Sequence, residues 1–228
     1  MDTQTFGPPD LGVIGTGRMG VRLATMFAQA GRTVILGSRD PDHAARIAKR
    51  VALPNLRGGS HAEAIRAPRI LPAVFLRDGL LDLLNRFCPK LSGKLLIDIS
   101  NPFNADYSDF ITAWDTSSAE LLQAHFPQTR VVGAFKNVFW EVFDQPQFDD
   151  LVSDVLVTGD DADAKADFLQ FVNGTPFRYL DAGPLINSRT VERLTLITGN
   201  LGRQLQSYPR MNWRLLTQRP ESVAAAHA

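Results

Sequence analysis

Gly15, Gly17 and Gly20 follow the apolar run Leu11–Ile14 at the spacing GxGxxG. In a strand–turn–helix unit each glycine has its own task. Gly15 makes the tight turn, Gly17 lets the backbone approach a pyrophosphate, and Gly20 lets the helix pack closely on the strand. The following helix then aims unpaired N–H groups and its positive end at the phosphates. Apolar Val21, Ala24, Phe27 and Ala28 recur at helical spacing, and Gly31 stands where that helix should stop. Thr16, Arg18 and Met19 complete the turn and are expected to touch the dinucleotide.

The second strand, Thr33 to Leu36, runs into Gly37-Ser38-Arg39. An NAD site usually carries a carboxylate here to hold the ribose 2′-hydroxyl. Arg39 instead offers a charged fork and Ser38 a hydroxyl, which suit the 2′-phosphate of NADP(H). Asp40 precedes Pro41 and is expected to cap the next helix rather than bind ribose.

These residues need a sheet to position them. Apolar runs alternate with helical patterns, which predicts an α/β fold: a Rossmann-type, doubly wound, mostly parallel sheet with a small C-terminal α/β extension. Strands are expected at 11–14, 33–36, 70–75, 94–99, 130–135, 154–158 and 177–180. Helices are expected at 18–29, 42–51, 61–67, 79–87, 117–126, 162–172 and 187–205. The organisation expected is a flexible N-terminus (1–10), an NADP-binding domain (11–140), a smaller C-terminal region packed on it (141–220) and a tail (221–228). Residues 145–150 read as a loop. In the last helix Val191, Leu194, Ile197, Leu201 and Leu205 form an apolar face expected to enter the core, with a dimer contact as the alternative, and Asn187 or Ser188 can cap its start.

Lys plus Arg equals Asp plus Glu at 24 each, so no net field draws nucleic acid or an anionic membrane. No apolar run approaches bilayer length and no signal core opens the chain, which predicts a cytoplasmic protein. Cys88 is the lone cysteine, expected to pack beneath the helix at 79–87. His43, His61, His125 and His227 fall at no ligand spacing, so no metal is expected.

In open α/β sheets ligands lie beyond the carboxyl ends of the strands. Pro72, Ala73, Ser100, Asn101, Pro102 and Ala134 are therefore expected against the cofactor, and Phe103, Lys136, Asn137, Phe139 and Trp140 against the second substrate. Asp98 reads as a strand-end residue bonding backbone amides.

One combination of blocks resembles a known family. Tyr179-Leu-Asp181-Ala-Gly-Pro-Leu185, Asn187-Ser-Arg189 and Val191-Glu192 look like the C-terminal signature of NADP oxidoreductases that use the deazaflavin coenzyme F420. The glycine turn, Gly37-Ser38-Arg39, Ser117–Leu122 and Gly159-Asp-Asp161 fit the same family. With Asp98–Pro102 they also resemble the cytosolic domain of six-transmembrane metalloreductases. The similarity spans about Leu11 to Leu205 and implies an NADPH-binding flavin or deazaflavin reductase, commonly a homodimer, with F420, FMN or FAD as candidate acceptors. Three places depart from the pattern. Lys136-Asn137 follows Ala134-Phe135 where Asn-Thr or a histidine variant is usual, Phe139-Trp140 replaces a small or proline residue, and Leu71-Pro72-Ala73 replaces Leu-Ala-Val-Pro.

Reducing a carbonyl requires a placed proton donor, yet no YxxxK follows Tyr107, Tyr179 or Tyr208. A flavin or deazaflavin delocalises charge and takes its proton from water, so orientation suffices. Lys136 is the candidate catalytic group, holding an anionic part of the acceptor or donating a proton; the plainer expectation is an exposed lysine. Arg189 and Glu192 are expected to pair on the helix surface. The alternatives are an imine or carbonyl reductase with Lys136 as donor, for which the residues after Phe139 are too few to make the usual helical domain, and a non-catalytic NADPH-binding redox sensor.

Overall fold

A computed structural model describes residues 7–217. The tail expected at 221–228, the last residues of the 141–220 region and the first six residues lie outside that range. β1 (Leu11–Ile14), β2 (Val34–Ser38), β3 (Leu56–Ser60), β4 (Arg69–Pro72), β5 (Leu95–Asp98) and β6 (Arg130–Gly133) form one sheet in the order β3-β2-β1-β4-β5-β6. Every neighbouring pair is parallel. This is the Rossmann order, and it reverses between β1 and β4, where a crevice must open.

The helices α1 (Arg18–Gln29), α2 (Pro41–Val51), α3 (His61–Ala64), α4 (Leu80–Asn85), α5 (Cys88–Leu91) and α6 (Ser118–His125) cover the sheet. α2 begins as its sequence dictates: Pro41 occupies the first turn and the Asp40 carboxylate accepts from the His43 N–H at 3.0 Å. β3 is an addition to the expected strands. Its sequence, Leu-Arg-Gly-Gly-Ser, lacks an apolar alternation because α2 lies directly on it. A Cβ on Gly58 would sit 2.0 Å from the Ala44 carbonyl carbon, so only glycine admits that approach.

Beyond β6 the chain adds a short hairpin, β7 (Gln147–Phe148) and β8 (Leu151–Val152), within and after the segment expected as loop. It then forms a parallel pair, β9 (Asp154–Val157) and β10 (Arg178–Asp181), with α7 (Ala162–Phe171) between them. Gly133 and Thr158 exchange both backbone hydrogen bonds at 2.9 Å, tying β9 to the edge of the large sheet. An aromatic core continues across the junction, with Phe135 edge-on to Phe27 of α1, Phe168 of α7 and Tyr179 of β10.

α8 (Ser188–Gln204) corrects a sequence expectation. The period is helical, but the apolar stripe faces outward: Ile197, Leu201 and Leu205 are 53%, 38% and 71% exposed. Of the expected stripe Val191 is buried, but the rest of the buried face is polar and small, comprising Ser188, Glu192, Thr195, Thr198, Gly199 and Gly202. Neither expected cap acts as one. Asn187 donates its side-chain amide to the Ala182 carbonyl, and the Ser188 hydroxyl bonds the Thr158 hydroxyl. Cys88 is exposed at the start of α5 rather than packed beneath α4. Among the described residues no helix is long and apolar enough to cross a membrane.

Candidate functional site

The three glycines behave differently, as their spacing requires. Gly15 has φ +114° and a Cβ there would stand 2.8 Å from the Ala73 carbonyl oxygen, so the turn admits no side chain. A Cβ on Gly20 would lie 2.0 Å from the Gly15 carbonyl oxygen, which makes Gly20 the helix–turn contact. A Cβ on Gly17 would meet nothing within 4 Å, leaving open space in front of α1. Gly17 caps α1 in extended conformation with no side-chain bond, and no acidic residue occupies the first turn. The helix therefore presents free N–H groups and an uncompensated positive end to that space, a setting that fits a pyrophosphate.

At the end of β2, Ser38 is nearly buried and its oxygen accepts from the Asp40 N–H at 3.1 Å, which leaves the hydroxyl proton to donate. Asp40 is occupied by its cap and lies 3.7 Å from Arg46. Arg39 is exposed and forms no ion pair among the described residues. Burial first, then the charges of Arg39 and Arg86, hold the pKa of His61 below its ordinary value, so this corner is positive through arginine alone. The residues fit a nucleotide bearing a phosphate on its 2′-position.

A cavity of about 650 Å³ opens where the carboxyl ends of β1, β4, β5 and β6 converge. Of the residues expected at a site, Gly17, Arg18, Met19, Ala73, Ser100, Asn101, Phe103, Phe139 and Trp140 line it. Sequence reasoning missed Phe75 and Tyr107 on one wall and Thr195, Gly199, Arg203 and Tyr208 on the other. Phe103 lies 5.4 Å from Tyr107, and Tyr208 contacts both Phe139 (5.8 Å) and Trp140 (5.5 Å) edge-on. The Arg18 guanidinium sits 4.5 Å over the Trp140 ring. The cavity is thus a slot between two aromatic walls, with the open space before α1 at one end. Phe135, at its base, holds φ +57°, an uncommon value for a bulky residue that its aromatic neighbours enforce.

Gly15, Thr16, Gly20, Ser38 and Arg39 belong to the turn and the β2 corner rather than to the slot. Pro72, Pro102 and Ala134 are buried and do not line the cavity, so they support its wall from behind. Asn137 is not a substrate contact either. Its amide donates to the Asp154 carbonyl and the Asn212 side chain, and its oxygen accepts from the Leu156 N–H.

Lys136 overturns both expectations made for it. It is 1% exposed, away from the slot, and its ammonium contacts Asp98 at 2.6 Å, Glu192 at 2.8 Å and the Ser100 carbonyl at 2.6 Å, with Ser118 Oγ at 3.2 Å. Burial alone would lower its pKa, but the two carboxylates reverse that and raise it, so the charge stays. Burial raises the pKa of Glu192. Glu192 also accepts from the Ser118 N–H at 3.1 Å, and Arg189 pairs with Glu120 instead of with Glu192. Asp98 does serve as a strand-end acceptor, taking the Ser100 N–H at 2.9 Å. The cluster clamps the ends of β5 and β6, the start of α6 and the middle of α8 together. It reaches the slot through Ser100, which lines the cavity, and through Asn101, whose amide donates to the Lys136 carbonyl at 2.7 Å while its Oδ1 remains a buried acceptor without a donor.

Comparison with known proteins agrees with this arrangement. Residues 10–102 match the family model described as NADP oxidoreductase coenzyme F420-dependent. The chain is 30% identical over 189 residues to the metalloreductase STEAP3 of Rattus norvegicus, covering 82% of this chain but only 36% of that protein. It is 28% identical over 202 residues to the F420-dependent NADP reductase of Methanothermobacter marburgensis, covering 82% and 89% of the two chains. In fold it superposes on an Arthrobacter structure assigned as an F420-dependent NADP-reductase with a TM-score of 0.81 at 22% identity, over 92% of this chain and all of that one. An imine reductase from Myxococcus stipitatus in complex with NADP+ follows with a TM-score of 0.63 at 20% identity, over 87% of this chain and 64% of that one. With its glycine turn, β2 corner and Rossmann order in place, the chain matches the NADP oxidoreductase, coenzyme F420-dependent, model over residues 10–102 and resembles F420-dependent NADP reductases over 82% of its length, which marks it as an NADP-dependent oxidoreductase.

Proposed function

We propose that this protein transfers hydride between NADP(H) and a planar redox ring, a deazaflavin or flavin, bound in the aromatic slot. NADPH supplies the hydride when bound. The turn and α1 hold its pyrophosphate, Ser38 and Arg39 its 2′-phosphate, and Phe103, Phe139 and Trp140 orient the ring that receives the hydride. The observation that carries the reading is an aromatic-walled cavity at the mouth of α1 whose lining contains no lysine or histidine. A carbonyl or imine would need a proton donor held on it; Lys136, the candidate for that role, spends its N–H groups on Asp98, Glu192 and Ser100, which leaves that alternative only the slot's Tyr107, Tyr208 and the Ser108-bonded Asp106. A delocalised ring takes its proton from water and asks only for orientation.

The test follows the nicotinamide absorbance band with NADPH and a panel of F420, FMN, FAD and riboflavin. Acceptor-dependent oxidation is expected; tight NADPH binding without turnover of any ring would favour the sensor. We infer further that the working form is a homodimer joined through the exposed stripe of α8, supported by Ile197, Leu201 and Leu205. Leu201→Glu should then lower the sedimentation mass from two chains to one, and an unchanged mass would reject that interface.

A further inference from the structure

The two ends of the slot differ in which cations are left unengaged. At the wall made by Phe103 and Tyr107 the rim carries Asp106, whose carboxylate accepts from the Ser108 hydroxyl at 2.7 Å and the Ser108 N–H at 3.1 Å and so stays ionised. At the opposite wall the rim carries two guanidinium groups, Arg18 over Trp140 and Arg203 over Tyr208, the latter 5.1 Å from the ring centroid. Neither forms an ion pair among the described residues, while Arg22, one turn along α1, is paired with Asp144; at the Phe103–Tyr107 wall the Arg77 guanidinium lies 4.4 Å over both Phe75 and Tyr107 and donates to the Phe103 and Asn104 carbonyls. Arg18 is the first residue of α1, next to the space that suits a pyrophosphate. Arg203 stands in the last turn of α8, at the far side of the Tyr208–Trp140 pair, bonded only to the Asn200 side chain at 3.1 Å. Tyr208 is held in place because Met211 packs on Gly202, where a Cβ would lie 2.6 Å from the methionine methyl, and because the Trp213 indole N–H donates to Thr198 at 2.6 Å.

We propose that Arg203, seated over Tyr208, is a specificity determinant for the acceptor: it binds the phosphate on the side chain of the ring and so selects phosphorylated flavins or deazaflavins over their bare chromophores. This rests on the ring-acceptor reading above. The geometry directs an anionic tail toward Arg203 because at the other end of the slot the Arg77 guanidinium is spent on backbone carbonyls beside the Asp106 carboxylate, and a guanidinium is suited to bind phosphate through paired N–H donors. Once the cofactor's phosphates engage Arg18, Arg203 is the cation left at that rim.

The test compares wild type with Arg203→Gln, an exposed substitution on the full chain. For each, KM is measured for FMN against riboflavin and for F420 against its tail-free chromophore, and FMN and riboflavin binding is titrated by calorimetry with NADP+ present. The expected result is that discrimination, KM of the bare ring over KM of the phosphorylated ring, falls about tenfold, with a matching tenfold loss in FMN affinity and little change in NADPH KM. A loss confined to F420 would assign the deazaflavin as the source of the phosphate, and a loss confined to FMN would assign the flavin. Equal changes for bare and phosphorylated rings, or none, would overturn the role of Arg203 while leaving the ring-acceptor reading standing. A wild-type protein that oxidises NADPH with none of the four rings would overturn both.

Discussion

The β2 corner with the glycine turn and the aromatic slot with α8 are built on opposite plans. The nucleotide half is backbone: an open space before α1, free N–H groups and two side chains at the end of β2, all within 25 residues of sequence, Gly15 to Arg39. The slot is side chain: Phe75, Phe103, Tyr107, Phe139, Trp140, Arg203 and Tyr208 arrive from four separate stretches of chain. The first plan tolerates little variation, because a Cβ at Gly15 or Gly20 meets backbone. The second admits exchange of one aromatic group for another. A fixed cofactor site and an adaptable acceptor site follow from that contrast, and the buried Lys136 cluster is the joint that ties α8, one side of the slot, to the ends of β5 and β6 and the start of α6.

Removing that joint should have the largest effect. Lys136→Met leaves Asp98 and Glu192 buried without their cation, which costs about 3–5 kcal/mol of folding stability by denaturant titration. A loss below about 1 kcal/mol would mean that the seating of α8 does not depend on it. The same ammonium carries a pH signature. Its pKa is raised in the folded state, so the folded chain holds the proton more tightly than the unfolded chain does. Its contribution is full below the ordinary lysine value of 10.5 and is lost as pH rises past it toward the folded value. Denaturation midpoints of the wild type should therefore fall more steeply above that pH than those of Lys136→Met, and parallel curves would reject the assignment.

Next in size is a charge reversal in the nucleotide half alone. Arg39→Glu should raise the KM for NADPH by about 10- to 100-fold, the worth of charge-assisted hydrogen bonds of ~1.5–3 kcal/mol, with little change for NADH or for the acceptor. Equal losses for both nucleotides would remove Arg39 from the phosphate site. The smallest effect separates architecture from chemistry at the same corner. Asp40→Ala deletes the cap of α2 and should cost about 1 kcal/mol of stability without raising the KM for NADPH. A rise in KM would make Asp40 a nucleotide ligand after all.

The same contrast explains what the sequence disclosed. The glycine turn, the Asp40-Pro41 cap and the parallel order were legible because each is a local pattern with one structural solution. β3 was not, since the feature that makes it a strand, α2 lying against Gly58, is tertiary. The period of α8 was legible but its direction was not. Burial there is decided by Glu192 meeting Lys136 and by small residues admitting Phe139 and Met211, so the apolar stripe is left outside. Lys136 was singled out for its type, yet nothing nearby in sequence announced that its partners stand 38 residues before it and 56 after it. Arg203 and Tyr208 went unread for the same reason: they reach the slot only because α8 folds back over β6.

The most direct test of direct transfer across the slot uses NADPH carrying deuterium at the reactive C4 position of the nicotinamide, F420 as acceptor, and mass spectrometry of the reduced ring. The expected result is that the label moves to carbon in the reduced deazaflavin without exchange with water. A reduced ring free of deuterium would contradict it, since hydride would then not have passed from one ring to the other within the slot.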